Sequence, residues 1–286
     1  MHKIQAKGIL NADNGMNVYR GCTHGCIYCD ARSDCYQMNH AFEDIEVKEN
    51  APELLDAALR SKRQRCMIGT GAMSDPYLHL ERELRLTRRC LEIIHKHGFG
   101  VTVLTKSDMI LRDIELLASI NESAKAVVQM TLTTADEKLC RIVEPNVCTT
   151  DRRAEVLCKM KKRNIPTVVW LTPLLPFLND TEENIRSLVR ICAEANVYGI
   201  ITFGMGMTLR SGDREYFYAQ LDRRFPELKQ RYISTYKNAY ELASPNASRL
   251  WTIFDEECEH YGIENDPRRV FDYLREFPQP EQLSLF

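Results

Sequence analysis

What most constrains the fold of this chain is an alternation of two kinds of segment. Short apolar runs occur at Met16–Tyr19, Cys66–Gly69, Gly100–Leu104, Ala126–Leu132, Thr167–Leu171 and Gly199–Phe203. Between them lie Ala51–Lys62, Leu80–His97, Met109–Ile120, Asp151–Arg163 and Glu182–Ala195. Segments such as LLDAAL and LLASI space apolar residues three or four apart, as a helix with one buried face requires. HKHGFG and RNIP supply stop signals after the second and fourth helices. Strands alternating with helices of this length pair in parallel through right-handed crossovers. Six such strands predict an α/β fold, a partial (β/α)6 barrel, with its chemistry at the C-terminal ends of the strands. From about Arg214 the sequence is helical and tyrosine-rich. We expect a barrel over residues 1–213, a small, mostly helical extension over 214–277 and an extended tail over 278–286. Tyr216, Tyr218, Tyr232, Tyr236 and Tyr240 are expected to pack that extension, with base stacking or electron relay as the alternative.

Directly after the first run comes YRGCTHGCIYCDARSDCY, which places Cys22, Cys26 and Cys29 within eight residues. The chain has eleven cysteines. An odd count with irregular spacing is not a disulfide framework. Cys90, Cys158 and Cys192 sit in helical patterns and read as small buried apolar side chains. The opening cluster differs in kind. Gly21 and Gly25 let the loop curl and turn thiolates inward. Soft thiolates select Zn²⁺, Cu⁺ or an iron–sulfur cluster. A closed zinc site wants four ligands, usually on paired arms. Here one arm stands alone, although His24 or Cys35 is available as a fourth ligand. A non-catalytic zinc-stabilised module that binds DNA or a clamp therefore stays open. Three cysteines on a 4Fe–4S cluster instead leave one iron free to bind a cofactor or substrate.

The pattern CxxxCxΦC, with Tyr28 before the last cysteine, resembles the signature of radical S-adenosylmethionine enzymes. The resemblance implies that Cys22, Cys26 and Cys29 each bind one iron of a 4Fe–4S cluster. The fourth iron is chelated by the amino and carboxylate groups of S-adenosylmethionine. One-electron reduction, from a donor such as flavodoxin or ferredoxin, then yields a 5′-deoxyadenosyl radical. In that setting Ser74 and Asp75, in GTGAMSDPYLHLE, are candidate acceptors for the methionyl ammonium; the alternative is an Asp-Pro turn. Lys106 in VLTKSD suits the methionyl carboxylate. Thr131 and Thr133 in VQMTLTT offer hydroxyls to the ribose or carboxylate.

MNVYRGCTHGCIYCDAR, together with MSDPYLHLE, LTKS, VEPN, WLTPLLPFLND and KNAYELASPN, resembles the spore photoproduct lyase-like group over about Lys7–Trp251. The match is nearest the subgroup called radical SAM mobile pair protein B, a name that implies a second radical enzyme as partner. The group's founding activity reverses a thymine dimer in spore DNA by abstracting and returning hydrogen. One departure stands out. Where those lyases carry a hydrogen-donating cysteine, two residues before the Ser-Asp pair, this chain has Ala72. Cys35 and Cys66 are the replacement candidates.

Charge bears on the substrate. There are 38 Lys+Arg against 40 Asp+Glu, which argues against a generally basic coat for nucleic acid. Local clusters remain: Arg82, Arg85 and Arg89 at helical spacing, Leu59–Arg65, and Lys159–Arg163. They read as phosphate contacts or as solvated faces. The chain ends in FPQPEQLSLF. Gln282, Leu283, Ser284, Leu285 and Phe286 resemble the peptide that binds the bacterial sliding clamp. Two prolines keep such a tail extended, Leu285 and Phe286 suit an apolar pocket, and Gln282 orients the peptide. DNA as substrate follows as the expectation, because a damaged base unstacks readily into a deep site. No apolar run reaches signal-peptide or membrane-span length, so a cytoplasmic location without membrane contact is expected.

Overall fold

A computed structural model describes residues 1–278; the Gln282–Phe286 motif lies outside them. Six strands form the central sheet: β1 (Gly15–Met16), β2 (Met67–Thr70), β3 (Gly100–Thr105), β4 (Ala126–Thr131), β5 (Thr167–Trp170) and β6 (Gly199–Ile201). Spatial order equals chain order, and every pairing is parallel. The crossovers carry α1 (Ala51–Ser61), α2 (Glu81–Leu84), α3 (Leu86–His97), α4 (Ile114–Ser123), α5 (Glu137–Val143), α6 (Thr150–Lys162) and α7 (Glu182–Glu194). A singly wound sheet of this kind curls into the expected partial barrel. Every residue of β4 is buried, as a parallel strand covered on both faces should be.

The C-terminal part does two jobs. Strands Gly206–Thr208 and Glu241–Ala243 form an antiparallel hairpin, spanned by α8 (Asp213–Arg224) and α9 (Leu228–Tyr236). Their apolar side chains share a core with Cys26, Ile27 and Tyr28, so they pack beneath the cysteine loop. Then α10 (Ala247–Tyr261) joins the main core, and α11 (Pro267–Arg275) lays Val270 and Leu274 against Val127, Val168 and Ile201. Val127 shares its strand face with Gln129, which lines the barrel interior. Helix α11 thus fills the lower barrel, while Ile200 N donates to Glu264 O at 2.8 Å along the open edge. Tyr232 is fully buried with its hydroxyl on Pro176 O at 2.6 Å, and Tyr236 donates to Ala243 O at 2.6 Å, whereas Tyr240, expected to pack as well, is exposed. No helix among the described residues is long and apolar enough to cross a membrane.

Three local readings change. The first strand is shorter than Met16–Tyr19. After Met16 the chain leaves the barrel, and Tyr19–Arg20 pairs with Glu46–Lys48, which also pairs with His2–Ile4, in a separate small sheet. The Leu80–His97 helix breaks at Arg85, whose φ is +52°. Buried Glu81 causes the break: its carboxylate accepts from Thr87 N at 3.2 Å and Arg88 N at 3.4 Å, capping α3. Met109–Ile120 opens as a 3₁₀ turn over Asp108–Asp113 before α4 begins. The break at Arg85 also disrupts the basic face expected of Arg82, Arg85 and Arg89, and Arg89 pairs with Glu53 at 2.8 Å. Lys161 and Arg163 bind Glu194 O and Glu115 on the barrel's flank. Arg89, Lys161 and Arg163 are thus engaged by the chain's own acceptors.

Candidate active site

The cysteine loop follows β1, so it overhangs the C-terminal ends of the strands. Gly21 has φ +87°, and a Cβ there would lie 2.4 Å from Phe42 O, the carbonyl that accepts from Cys22 N at 3.1 Å. Gly25 has φ +73° and is packed against Pro145 and Asn146. Both glycines are therefore required by the curl. The VEPN run, Val143–Asn146, clamps the loop from the other side. Ile27 N donates to Val143 O at 3.0 Å, and Asn146 N to His24 O at 3.1 Å. Asn146 Nδ2 donates to Thr23 O at 3.0 Å, while His79 Nε2 donates to Asn146 O at 2.9 Å.

Beneath the loop lies an ionic network that the sequence did not reveal. Tyr28 donates its hydroxyl to the Glu144 carboxylate. Arg153 Nη2 lies 2.5 Å from Glu144 Oε2, and both side chains are wholly buried. The pair is close but poorly aligned, so Arg153 Nε and Nη2 lack a well-directed acceptor among the described residues. Arg153 Nη1 does bond Thr131 O at 3.0 Å, tying the network to the end of β4. Burial alone would raise the Glu144 carboxyl, but Arg153 and Lys106 more than offset it and hold it ionised.

Loop and strand ends enclose a cavity of about 370 Å³. Cys22, Cys26, Cys29, Tyr28, Ser74, Asp75, Lys106 and Thr131 all line it. Five of the expected side chains have other engagements. Ser74 Oγ donates to Gly21 O at 2.6 Å. Asp75 accepts from Thr105 Oγ1 at 2.7 Å and from the backbone N–H groups of Tyr77 and Lys106, both at 2.8 Å. His24 Nδ1 adds a contact to Asp75 at 3.5 Å. Asp75 thus builds the Asp-Pro turn, while the Ser74 hydroxyl, donating to Gly21 O, keeps its acceptor lone pairs, and both side chains stay on the cavity wall. Thr133 stands behind the wall, fully buried, with Oγ1 3.5 Å from Glu144 Oε1. Cys35 is exposed, its sulfur 3.3 Å from Arg210 Nη1. Cys66 precedes β2 and lines a second cavity inside the barrel. At about 3.3 Å per residue it lies roughly 13 Å below Thr70. Neither Cys35 nor Cys66 lines the mouth cavity. Trp170, Phe203, Met207 and Thr208 also line the mouth cavity without having been anticipated; only their position at and just beyond strand ends could have signalled them.

Lys106 is the cation of this cavity. Its ammonium sits 5.9 Å from the Tyr28 ring centre. It makes no hydrogen bond or ion pair among the described residues. Burial lowers its affinity for a proton, yet Cys26 and Glu144 raise it further, so it stays charged. The thiols lie in the opposite balance: burial pushes Cys22 up to about 12, and Cys26 and Cys29 rise for the same reason. Three desolvated thiols beside a half-buried cation suit a multi-iron ligand set, which supplies the positive charge that thiolates need. A single zinc ion fits less well. Its thiolate ligands lie about 2.3 Å from the metal, so their sulfurs sit within about 4 Å of one another. Among the described residues only His2, His40 and Asp44 bring three possible ligand atoms within 4.8 Å, and the three cysteines are more widely spread. All eleven cysteines are free thiols; Cys90 and Cys192 are buried core residues, while Cys158 is only partly buried against the core.

Residues 16–190 match the radical SAM superfamily, and the chain belongs to that superfamily. Its members use a 4Fe–4S cluster and S-adenosylmethionine and need an electron donor. An uncharacterised protein of Mycobacterium tuberculosis is 29% identical over 292 residues, covering all of this chain and 85% of the other. Another, of Methanocaldococcus jannaschii, is 30% identical over 188 residues, 63% of this chain and 70% of its own length. Among solved structures, a spore photoproduct lyase variant superposes with a TM-score of 0.64 at 12% identity, over 91% of this chain and 79% of the other. A variant of that enzyme with bound AdoMet and dinucleoside spore photoproduct gives 0.61 at 12% identity, over 87% and 74%. The likeness shows a common fold.

Proposed function

We propose that this radical S-adenosylmethionine enzyme acts on a damaged or modified base in DNA, as a member of the spore photoproduct lyase-like group. One observation carries the chemistry: three thiols, one buried and two partly buried, and a free ammonium converge on one cavity at the strand ends. DNA as substrate is supported by the fold shared with spore photoproduct lyase and by the clamp-like tail.

Cys22, Cys26 and Cys29 would hold three irons of the cluster. Cluster and S-adenosylmethionine together supply reductive cleavage of a sulfonium to a 5′-deoxyadenosyl radical. The chain's own part is placement. Lys106 faces the carboxylate of the methionyl group. Thr131 presents its hydroxyl to the ribose or carboxylate. Ser74 Oγ, still able to accept, and the Asp75 carboxylate face the methionyl ammonium from the cavity wall. Glu144 holds Tyr28, and so the loop, in one position. Among the described residues, the only thiols lining the cavity are the three of the loop, and Ala72 stands on its wall. The lyase's thiol donor thus has no counterpart on the cavity wall, and the reaction need not match that of the lyase.

The test is 5′-deoxyadenosine release by the anaerobically reconstituted, reduced protein with ultraviolet-irradiated DNA, intact DNA and no DNA. Stimulation by irradiated DNA is expected. Equal release in all three assigns the enzyme another substrate: peptide, RNA or small molecule. The clamp is tested separately: Phe286→Ala should abolish capture of the full chain by the sliding clamp, and unchanged capture contradicts that role for the tail.

A further inference from the structure

One large apolar side chain stands in water at the rim of the cavity. Phe203 follows β6 and is 65% exposed. No other described aromatic is as exposed, and this one lines the cavity that holds the three thiols. Leaving a phenylalanine in water forgoes most of the stabilisation that burial gives, so its position needs a reason. The ring is also held rather than loose. It meets Trp170 edge-to-face at 5.6 Å and 70°, and lies nearly parallel to Phe271 at 6.1 Å and 18°. Trp170 and Phe271 are themselves edge-to-face at 5.9 Å, and Trp170 Nε1 is fixed by Gln129 Oε1 at 2.8 Å. Thr202 Oγ1 bonds Gly204 O at 3.2 Å across the turn that carries the ring. Gly204 itself has open space where a side chain would begin. The arrangement is an ordered aromatic shelf, open on its outer side, at the entrance to a reaction cavity.

We propose that Phe203 is a stacking platform for an extrahelical nucleobase of the substrate strand. The inference rests on the DNA reading above and adds where the strand is gripped. A base drawn out of a duplex loses its stacking on both faces. A rigid ring at the rim restores one of them without further ordering cost, and it accepts any base because every base has a π-face. A pyrimidine or purine ring is the chemistry recognised. It has two possible sources, the substrate strand and the adenine of S-adenosylmethionine, and we assign Phe203 to the strand because it stands at the outer rim.

The experiment uses the cluster-loaded full chain with S-adenosylmethionine present. Anisotropy of a fluorescein-labelled, thymine-rich single strand, ultraviolet-irradiated or intact, measures strand binding. Equilibrium dialysis measures S-adenosylmethionine. Phe203→Ala should weaken strand binding about 5- to 150-fold with cofactor affinity and iron content unchanged and melting temperature lowered by no more than a few degrees. Phe203→Trp should bind at least as tightly as wild type. Equal strand binding by wild type and Phe203→Ala overturns the proposal. A loss confined to S-adenosylmethionine overturns it too, and gives the ring to the cofactor's adenine. No strand binding by the wild type sinks the DNA reading and this inference with it.

Discussion

Arg153→Met should be among the most costly substitutions in this protein. Arg153 and Glu144 form an ion pair with both side chains wholly buried. Removing the guanidinium leaves a buried carboxylate with the Tyr28 hydroxyl, Thr133 at 3.5 Å, the weak Cys140 thiol at 3.6 Å and only the more distant charge of Lys106. Stranding one member of such a pair costs about 3–5 kcal/mol. The bond to Thr131 O disappears as well. Against a total stability on the order of 5–15 kcal/mol this is a large fraction. For a chain of this length it lowers the melting temperature by on the order of 10 °C. Because Glu144 also holds Tyr28, cluster occupancy should fall, which thermal melting together with iron and sulfide assays would register. The double variant Arg153→Met/Glu144→Gln removes the stranded charge and should recover part of the loss, about 1–3 kcal/mol relative to the sum of the single changes. A cost below about 1 kcal/mol for Arg153→Met, or strict additivity in the double variant, would refute the reasoning that this pair is the keel of the loop.

Two further outcomes follow from local geometry. Gly21→Ala places a side chain at φ +87° and 2.4 Å from Phe42 O, so it should cost at least about 2 kcal/mol in melting experiments and lower iron incorporation. Asp213, at the start of α8, has its carboxyl pushed up to about 6, first by burial and further by nearby Asp30. A raised carboxyl stabilises the fold below its ordinary value of about 4, and that contribution is lost as pH climbs through 6. In cluster-free protein, wild type should therefore lose about 2 kcal/mol relative to Asp213→Asn between pH 4 and pH 7; a constant difference between the two in denaturant titrations contradicts this.

Much of the frame was legible because parallel strands covered on both faces are written as unbroken apolar runs. AVVQMT and GVTVLT are cases, and the crossovers between them have clear helical spacing. The metal loop was legible because thiol spacing is local. What stayed hidden is tertiary. Glu144 lies 116 residues from Tyr28, and no window of sequence joins them. The break at Arg85 depends on Glu81, which is ion-paired to Arg112 at 2.8 Å from a different element. Asp75 was ambiguous because its partners, Thr105 and Lys106, end the next strand. Cys66 is different in kind. It precedes its strand, and the rule that places chemistry at C-terminal strand ends would by itself have put it at the wrong end of the barrel.

The account's central claim is that the loop of Cys22, Cys26 and Cys29 holds the cluster on which S-adenosylmethionine is cleaved. The direct measurement is 5′-deoxyadenosine released from S-adenosylmethionine by anaerobically reconstituted, dithionite-reduced protein, wild type beside Cys26→Ala, with iron and sulfide counted in both. We predict about four irons and measurable release in the wild type, and loss of both in the variant. Full iron and sulfide in wild type with no 5′-deoxyadenosine, or equal release from the variant, would contradict it.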